Sequence, residues 1–230
     1  EFRRVLFRSM KIRLFYTEIP FWRAEVSRLA LYIGNIDFED VRMTWRKDFD
    51  TMVDTGKLPY GVTSPFRQIP VMEVDGQVAG QTAGIARFCG KLSGLYPKND
   101  DMLAAQIDQI LDAATDITNL VGLTMREKDL DKRKLERQKL SKETLPKWFG
   151  FLEDLLQENK ISEWFAGDKM SVADLAIWRL LGWIISGKLE HVPTTLLDTF
   201  PKLAKLYKRV DSHPKVQEWI SLKYPKKYTS

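Results

Sequence analysis

Tyr16 closes the run Ile12-Arg13-Leu14-Phe15-Tyr16, and a phenol at the end of a strand can donate a hydrogen bond to an anion. The same position also suits a half-buried strand aromatic. Gln81 and Thr82 open a helical run, where unpaired backbone N–H groups and the helix dipole favour an anion. Asp108, Asp112 and Asp116 recur every four residues, which sets three carboxylates along one side of a helix. A solvated stripe is the plain reading of that row. Cys89 is the chain's single cysteine and lies on an apolar helix face, where core packing accounts for it. Ser171 and Asp174 stand at capping-box spacing ahead of an apolar run, with Asp in place of the usual Glu, and read as structural.

These side chains need elements to position them. Ile12, Leu14 and Tyr16 alternate onto one face of a short strand. RAEVSRLALYIGN has apolar residues at helical spacing and stops at Gly34-Asn35. FEDVRMTW reads as a second strand, and DFDTMVDTGKLPYGVTSPFR as a turn-rich, irregular stretch. QIPVMEVDGQVAG is a hairpin around Asp75-Gly76, and QTAGIARFCGKL is a helix after it. The order β-α-β-loop-β-β-α fills residues 10–92. A linker with Gly94, Pro97 and Asn99 covers 93–101. From 102 to 230 the signals are helical. The mixed charges from Arg126 to Glu143 read as a solvated face with interleaved ion pairs. The expected architecture is a small α/β domain followed by an all-α one.

Composition narrows the function classes. The net charge is +5. Residues 1–9, EFRRVLFRS, carry part of it as Arg3, Arg4 and Arg8 against Glu1. They match, residue for residue, the translation of a common sequencing-library adapter. They are expected to be a non-native tail ahead of Met10. A signal peptide does not fit, because only Val5, Leu6 and Phe7 run together before Arg8. Without the tail the excess falls to +3, with both signs mixed, which is a solubility feature rather than a nucleic-acid footprint. A 44% hydrophobic chain has ample material for a core. One cysteine excludes an internal disulfide framework and suits a reducing compartment. The longest apolar run, VADLAIWRLLGWIISG, is broken by Asp174 and Arg179 and falls short of the roughly 18 residues of a membrane span. A cytoplasmic protein with no nucleic-acid or membrane partner is expected.

The strand ending in Tyr16, the Arg23-Ala24-Glu25 helix start, Pro70-Val71, the Gln81-Thr82 pair and FAGDKMSVADLAIW together resemble the soluble glutathione transferases. The nearest pattern is the tyrosine-type, sigma-like branch, and the resemblance covers nearly all of residues 10–225. It implies a thioredoxin-like N-terminal domain followed by an all-α C-terminal domain. It implies glutathione as co-substrate, a small apolar electrophile, a homodimer, and neither cofactor nor metal. Tyr16 would then stabilise the glutathione thiolate. A thiol with a pKa of about 8.5 is mostly protonated at neutral pH. The thiolate is the nucleophile, and a hydrogen bond donated to it lowers that pKa.

The resemblance also implies a cis Pro70 that leaves the Val71 backbone to pair with the glutathione cysteine like an added strand. It puts the γ-glutamyl carboxylate on Thr82 beside Gln81. It puts the glycine carboxylate on Lys57, with Arg67 or Trp45 sharing the role. Asp116 would reach across a two-fold dimer interface to the glutathione amine of the other subunit. The chain departs from the pattern at Phe21-Trp22, an apparent one-residue insertion that adds bulk at the mouth of the site, and at Thr82, where relatives carry Ser. Phe21, Trp22, Leu120, Leu123 and Thr124 are the expected lining of the electrophile pocket. Conjugation to apolar electrophiles is the leading expectation. A prostaglandin-type isomerase and a non-enzymatic, crystallin-like binding protein are the alternatives.

Overall fold

The computed structural model describes residues 10–224, so the expected tail at 1–9 lies outside the described residues. Strand β1 (Ile12–Thr17) runs parallel to β2 (Glu39–Met43) and antiparallel to β3 (Val71–Val74), which pairs with β4 (Gln77–Gly80). The sheet order is β2-β1-β3-β4. Helix α1 (Trp22–Ile33) joins β1 to β2, and α3 (Thr82–Ser93) follows β4. The β3–β4 turn has Asp75 and Gly76 at φ 49° and 86°, the left-handed pair that matches strand twist in a two-residue hairpin.

Alternation along β1 suggests one buried face, yet both faces are covered. Ile12 and Leu14 join the main core with α1 and α3, while Phe15 points the other way onto Met43, Met52, Leu58, Val62 and Val71. That second layer comes from the stretch expected to be irregular. It contains a wide turn at Trp45–Phe49, a short helix α2 (Asp50–Thr55) and a tight turn at Pro59–Gly61. Helix α2 escapes a periodicity reading because it is six residues long and buries only Met52.

The helical part comprises α4 (Asp101–Arg126), α5 (Leu130–Lys139), α6 (Leu145–Glu158), α7 (Val172–Ile184), α8 (Pro201–Asp211) and α9 (Pro214–Lys223). Helix α7 is its axis and packs on α1, α4 and α8. Its start is the expected capping box. The Ser171 Oγ accepts from the Ala173 N–H at 3.2 Å, and Asp174 accepts from the Ser171 N–H at 2.7 Å and the Phe165 N–H at 3.0 Å. Gly90 permits the close approach of this region to α3: a Cβ there would stand 2.8 Å from the Tyr96 Cβ and 2.9 Å from Val172. Helix α5 is largely the expected solvated face, with Lys132 beside Glu127 and Glu136. Arg137 is the exception, because its side chain is buried against α4.

Candidate active site

Strand direction brings the candidate residues together. The register pairs Thr17 with Met43, Phe15 with Val71, and Val71 with Gly80. The end of β1, the end of β2, the start of β3 and the end of β4 therefore share one end of the sheet. Tyr16, the Thr44-Trp45 step, Pro70 and Gln81-Thr82 all sit there.

Tyr16 is 8% exposed, and its hydroxyl has no hydrogen-bond partner among the described residues. Burial pushes its pKa up to about 12, with Arg23 and Arg28 pulling it back and Glu25 adding to the rise. The phenol thus keeps its proton, and remains a donor, at any physiological pH. The Arg28 guanidinium lies 5.8 Å from the Tyr16 ring centroid. It also donates to the Thr17 carbonyl at 3.1 Å, and so holds the backbone just after Tyr16. Arg28 is itself fixed by Glu25 at 3.1 Å and Asp40 at 2.8 Å, while the Trp219 indole donates to Glu25. The sequence reading gives neither Arg23 nor Arg28 a role in the site. The available signal is the placing of Arg28 three residues after Glu25 on a helix otherwise rich in apolar residues, which is costly without a partner.

At α3 the Thr82 hydroxyl is buried and has no hydrogen-bond partner among the described residues. Gln81, directly before it, has φ 73°, a conformation that costs a non-glycine residue free energy and concentrates at functional sites. The Ile69–Pro70 bond is cis. The expectation for Val71 needs correction. Val71 lies between Phe15 and Gly80 in the ladder, so its backbone groups face neighbouring strands rather than a ligand. Ile69, two residues earlier, is the position outside that ladder. In the loop, Lys57 bonds to Thr63 at 2.9 Å, and Arg67 donates to the Asp54 carbonyl at 3.0 Å. Trp45 is half exposed and packs on Phe49.

The expected electrophile lining is only partly assembled. Phe21 is half-buried and meets Trp183 edge to face at 5.0 Å. Trp22 is not a pocket residue: it is fully buried, and its indole donates to the Thr118 hydroxyl at 2.7 Å, which anchors α1 to α4. Thr124 is buried too, with its hydroxyl engaged by the Val121 carbonyl and Arg137. Leu123 is exposed beside Arg126, Glu127, Lys128 and Glu136, a charged rather than apolar setting. Leu120 is partly buried against the main core.

The aspartate row also divides. Asp108 is no solvated stripe: it accepts from Arg87 and Tyr96, each at 3.0 Å, and ties α4 to α3 and the linker. Asp112 and Asp116 are exposed.

Comparison with known proteins bears on this arrangement directly. Residues 115–223 match the family described as "Glutathione S-transferase, C-terminal domain". Hematopoietic prostaglandin D synthase of Mus musculus is 30% identical over 203 residues, which span 88% of this chain and 92% of that protein. S-crystallin SL11 of Nototodarus sloanii is 28% identical over 86% of this chain and 90% of its own length. The solved structure of prostaglandin synthase D of Nilaparvata lugens aligns with a TM-score of 0.76 at 26% identity, covering 94% of this chain and 98% of that one. A sheet end with Tyr16, a cis proline and a helix start, set on a helical domain, together with sequence similarity to such relatives over almost the full length, places this chain in the glutathione S-transferase family.

Proposed function

We propose that this transferase joins the glutathione sulfur to small apolar electrophiles, with Tyr16 donating its phenolic hydrogen bond to the thiolate. The observation that carries the reading is a phenol buried at the sheet end whose hydroxyl has no protein partner among the described residues; that burial raises its pKa and so keeps it a donor. The thiol proton passes to solvent, the sulfur anion attacks the electrophilic carbon, and the leaving group departs with the electron pair of the broken bond. A donor set in place beforehand costs no reorganisation as charge develops on the sulfur.

The γ-glutamyl carboxylate would occupy the α3 start, taking hydrogen bonds from the unpartnered Thr82 hydroxyl and the first N–H groups of the helix. The glutathione cysteine backbone would pair with Ile69, the residue just outside the ladder. Lys57, with Arg67 or Trp45 sharing the role, would take the glycine carboxylate. Phe21 and Trp183 would form one wall for the electrophile. We assign a homodimer, a cytoplasmic location and a detoxifying role to the same reading.

Retention on immobilised glutathione, followed by conjugation of a chloronitrobenzene, tests the proposal. Retention with turnover supports it. Retention without turnover, together with isomerisation of a prostaglandin endoperoxide, would favour the isomerase reading that the 30%-identical relative suggests. Absence of both binding and turnover would favour a crystallin-like role, as the name of the S-crystallin relative suggests.

A further inference from the structure

We propose that Arg179, on α7 of the helical domain, is a positioning residue that sets the geometry of the thiolate site by gripping the turn between Tyr16 and α1. The inference rests on the thiolate reading of Tyr16. The turn spans residues 18–21 and joins the strand bearing Tyr16 to the helix bearing Arg23. Its last residue, Phe21, is the N-cap of α1 and supplies no side-chain cap bond. A helix start without a Ser, Thr, Asp or Asn cap leaves its entry angle to be fixed by something else.

Two arginines supply that restraint. Arg28 holds the near end through the Thr17 carbonyl at 3.1 Å. Arg179 holds the far end, donating from Nε to the Pro20 carbonyl at 2.5 Å across 159 residues of sequence. Trp183, one helical turn along α7, presses on Phe21 from the same face.

The grip is built, not incidental. The Arg179 guanidinium lies 5.6 Å from the Tyr224 ring centroid. Its other flank is open because residue 182 is glycine: a Cβ there would stand 3.0 Å from Arg179 Nη1 and 3.2 Å from the Tyr207 hydroxyl. Helix α7 is a rigid base for such a contact, being capped by its box and buried along nearly all its length. Arg23 sits in the first turn of α1 and acts electrostatically on Tyr16. The Pro20 contact therefore sets how far the Arg23 charge stands from the Tyr16 hydroxyl. Through it the helical domain tunes a site formed by the α/β domain.

The test measures the pKa of enzyme-bound glutathione thiol, from thiolate absorbance and from the pH profile of kcat/KM, in four variants. Arg179→Met should keep glutathione retention but raise the bound-thiol pKa by about half to one unit, a loss of roughly three- to tenfold in thiolate at neutral pH. Arg179→Lys should recover part of the shift. Gly182→Ala keeps the charge but displaces the guanidinium, and should move the pKa the same way. Tyr16→Phe is the control on the underlying reading: an unchanged pKa there removes Tyr16 from thiolate stabilisation altogether. A raised pKa in Tyr16→Phe, with an unchanged one in folded Arg179→Met and Gly182→Ala, overturns the positioning role alone. Should Arg179→Met fail to fold, Gly182→Ala decides the matter by itself.

Discussion

Tyr16, Thr82 and Cys89 are all buried, and burial does something different to each. For Tyr16 it keeps the phenol protonated, so turnover should rise with pH as the thiol ionises and should not fall through loss of the tyrosine proton below about pH 12. Tyr16→Phe should retain the fold and glutathione binding yet lose on the order of 10²–10³-fold in kcat. The bound thiol should return toward its free pKa of about 8.5; an unchanged pKa would move the donor role elsewhere. For Thr82, burial leaves a hydroxyl with no bond to break among the described residues. Thr82→Val should therefore alter unfolding free energy by no more than about 1 kcal/mol, while glutathione affinity drops at least several-fold. A variant destabilised with its affinity intact would mark the hydroxyl as structural. For Cys89, burial pushes the thiol up to about 12, partly opposed by Ser27. A disulfide reagent should leave it untouched in the folded protein and modify it only after denaturation.

Among the elements, α1 and α7 carry the charged groups that most reward a measurement. Arg28 and Glu25 are both fully buried. A buried pair adds little net stability, but removing one partner leaves an uncompensated charge and costs about 3–5 kcal/mol. Urea unfolding should show a loss of that size for Arg28→Met. Adding Glu25→Gln should restore part of it; a purely additive double variant would mean that the two groups do not interact. In α7, burial pushes the Asp174 carboxyl from 3.8 up to about 6, against hydrogen bonds from Phe165 and Ser171 that favour the anion. The folded chain then holds a proton, between about pH 4 and 6, that the unfolded chain releases. The stability tied to that proton is complete below pH 4 and is lost as pH rises through 6, an effect of about 3 kcal/mol at ~1.4 per pKa unit. Asp174→Asn cannot ionise and lacks this slope. The stability gap between wild type and Asp174→Asn should narrow from pH 4 to pH 7; a gap that widens would show that the ionised cap is the stabilising form.

For the whole molecule, the proposal is a two-site homodimer in which Asp116, exposed on α4, would face the glutathione amine held by the partner chain. A carboxylate against an ammonium forms a charge-assisted hydrogen bond, stronger than a neutral one, and two-fold symmetry would use it twice. Asp116→Asn should weaken glutathione binding and leave the Tyr16-dependent pKa shift in place. In a mixed dimer of one Tyr16→Phe chain and one Asp116→Ala chain, one site carries both lesions and the other neither, so the isolated mixed dimer should show about half of wild-type activity and an equal random mixture about a quarter. No recovery after verified subunit exchange, or a fully active monomer in sedimentation, would end the shared-site idea.

The strands and the longer helices in their order, the hairpin at Asp75-Gly76, the capping box at Ser171 and Asp174, and the family were all legible in the chain. Each of those is written in short-range periodicity, turn chemistry or motifs a few residues long. Helix α2 lay below that resolution, since six residues with one buried side chain show no period. Contacts between distant side chains came only with tertiary packing. Trp22 and Thr124 had the right types to line an apolar pocket, and both were drawn inside, where Thr118 and Arg137 satisfy their polar atoms. Val71 was set between two strands by pairings 56 and 9 residues away. Arg28 and Arg179 reach the Tyr16 turn from positions 11 and 159 residues distant from their acceptors. Local patterns encode backbone conformation and near-neighbour pairs such as Ser171 with Asp174; the partners of Trp22 and Arg179 come from distant elements and are absent from any short window of the chain.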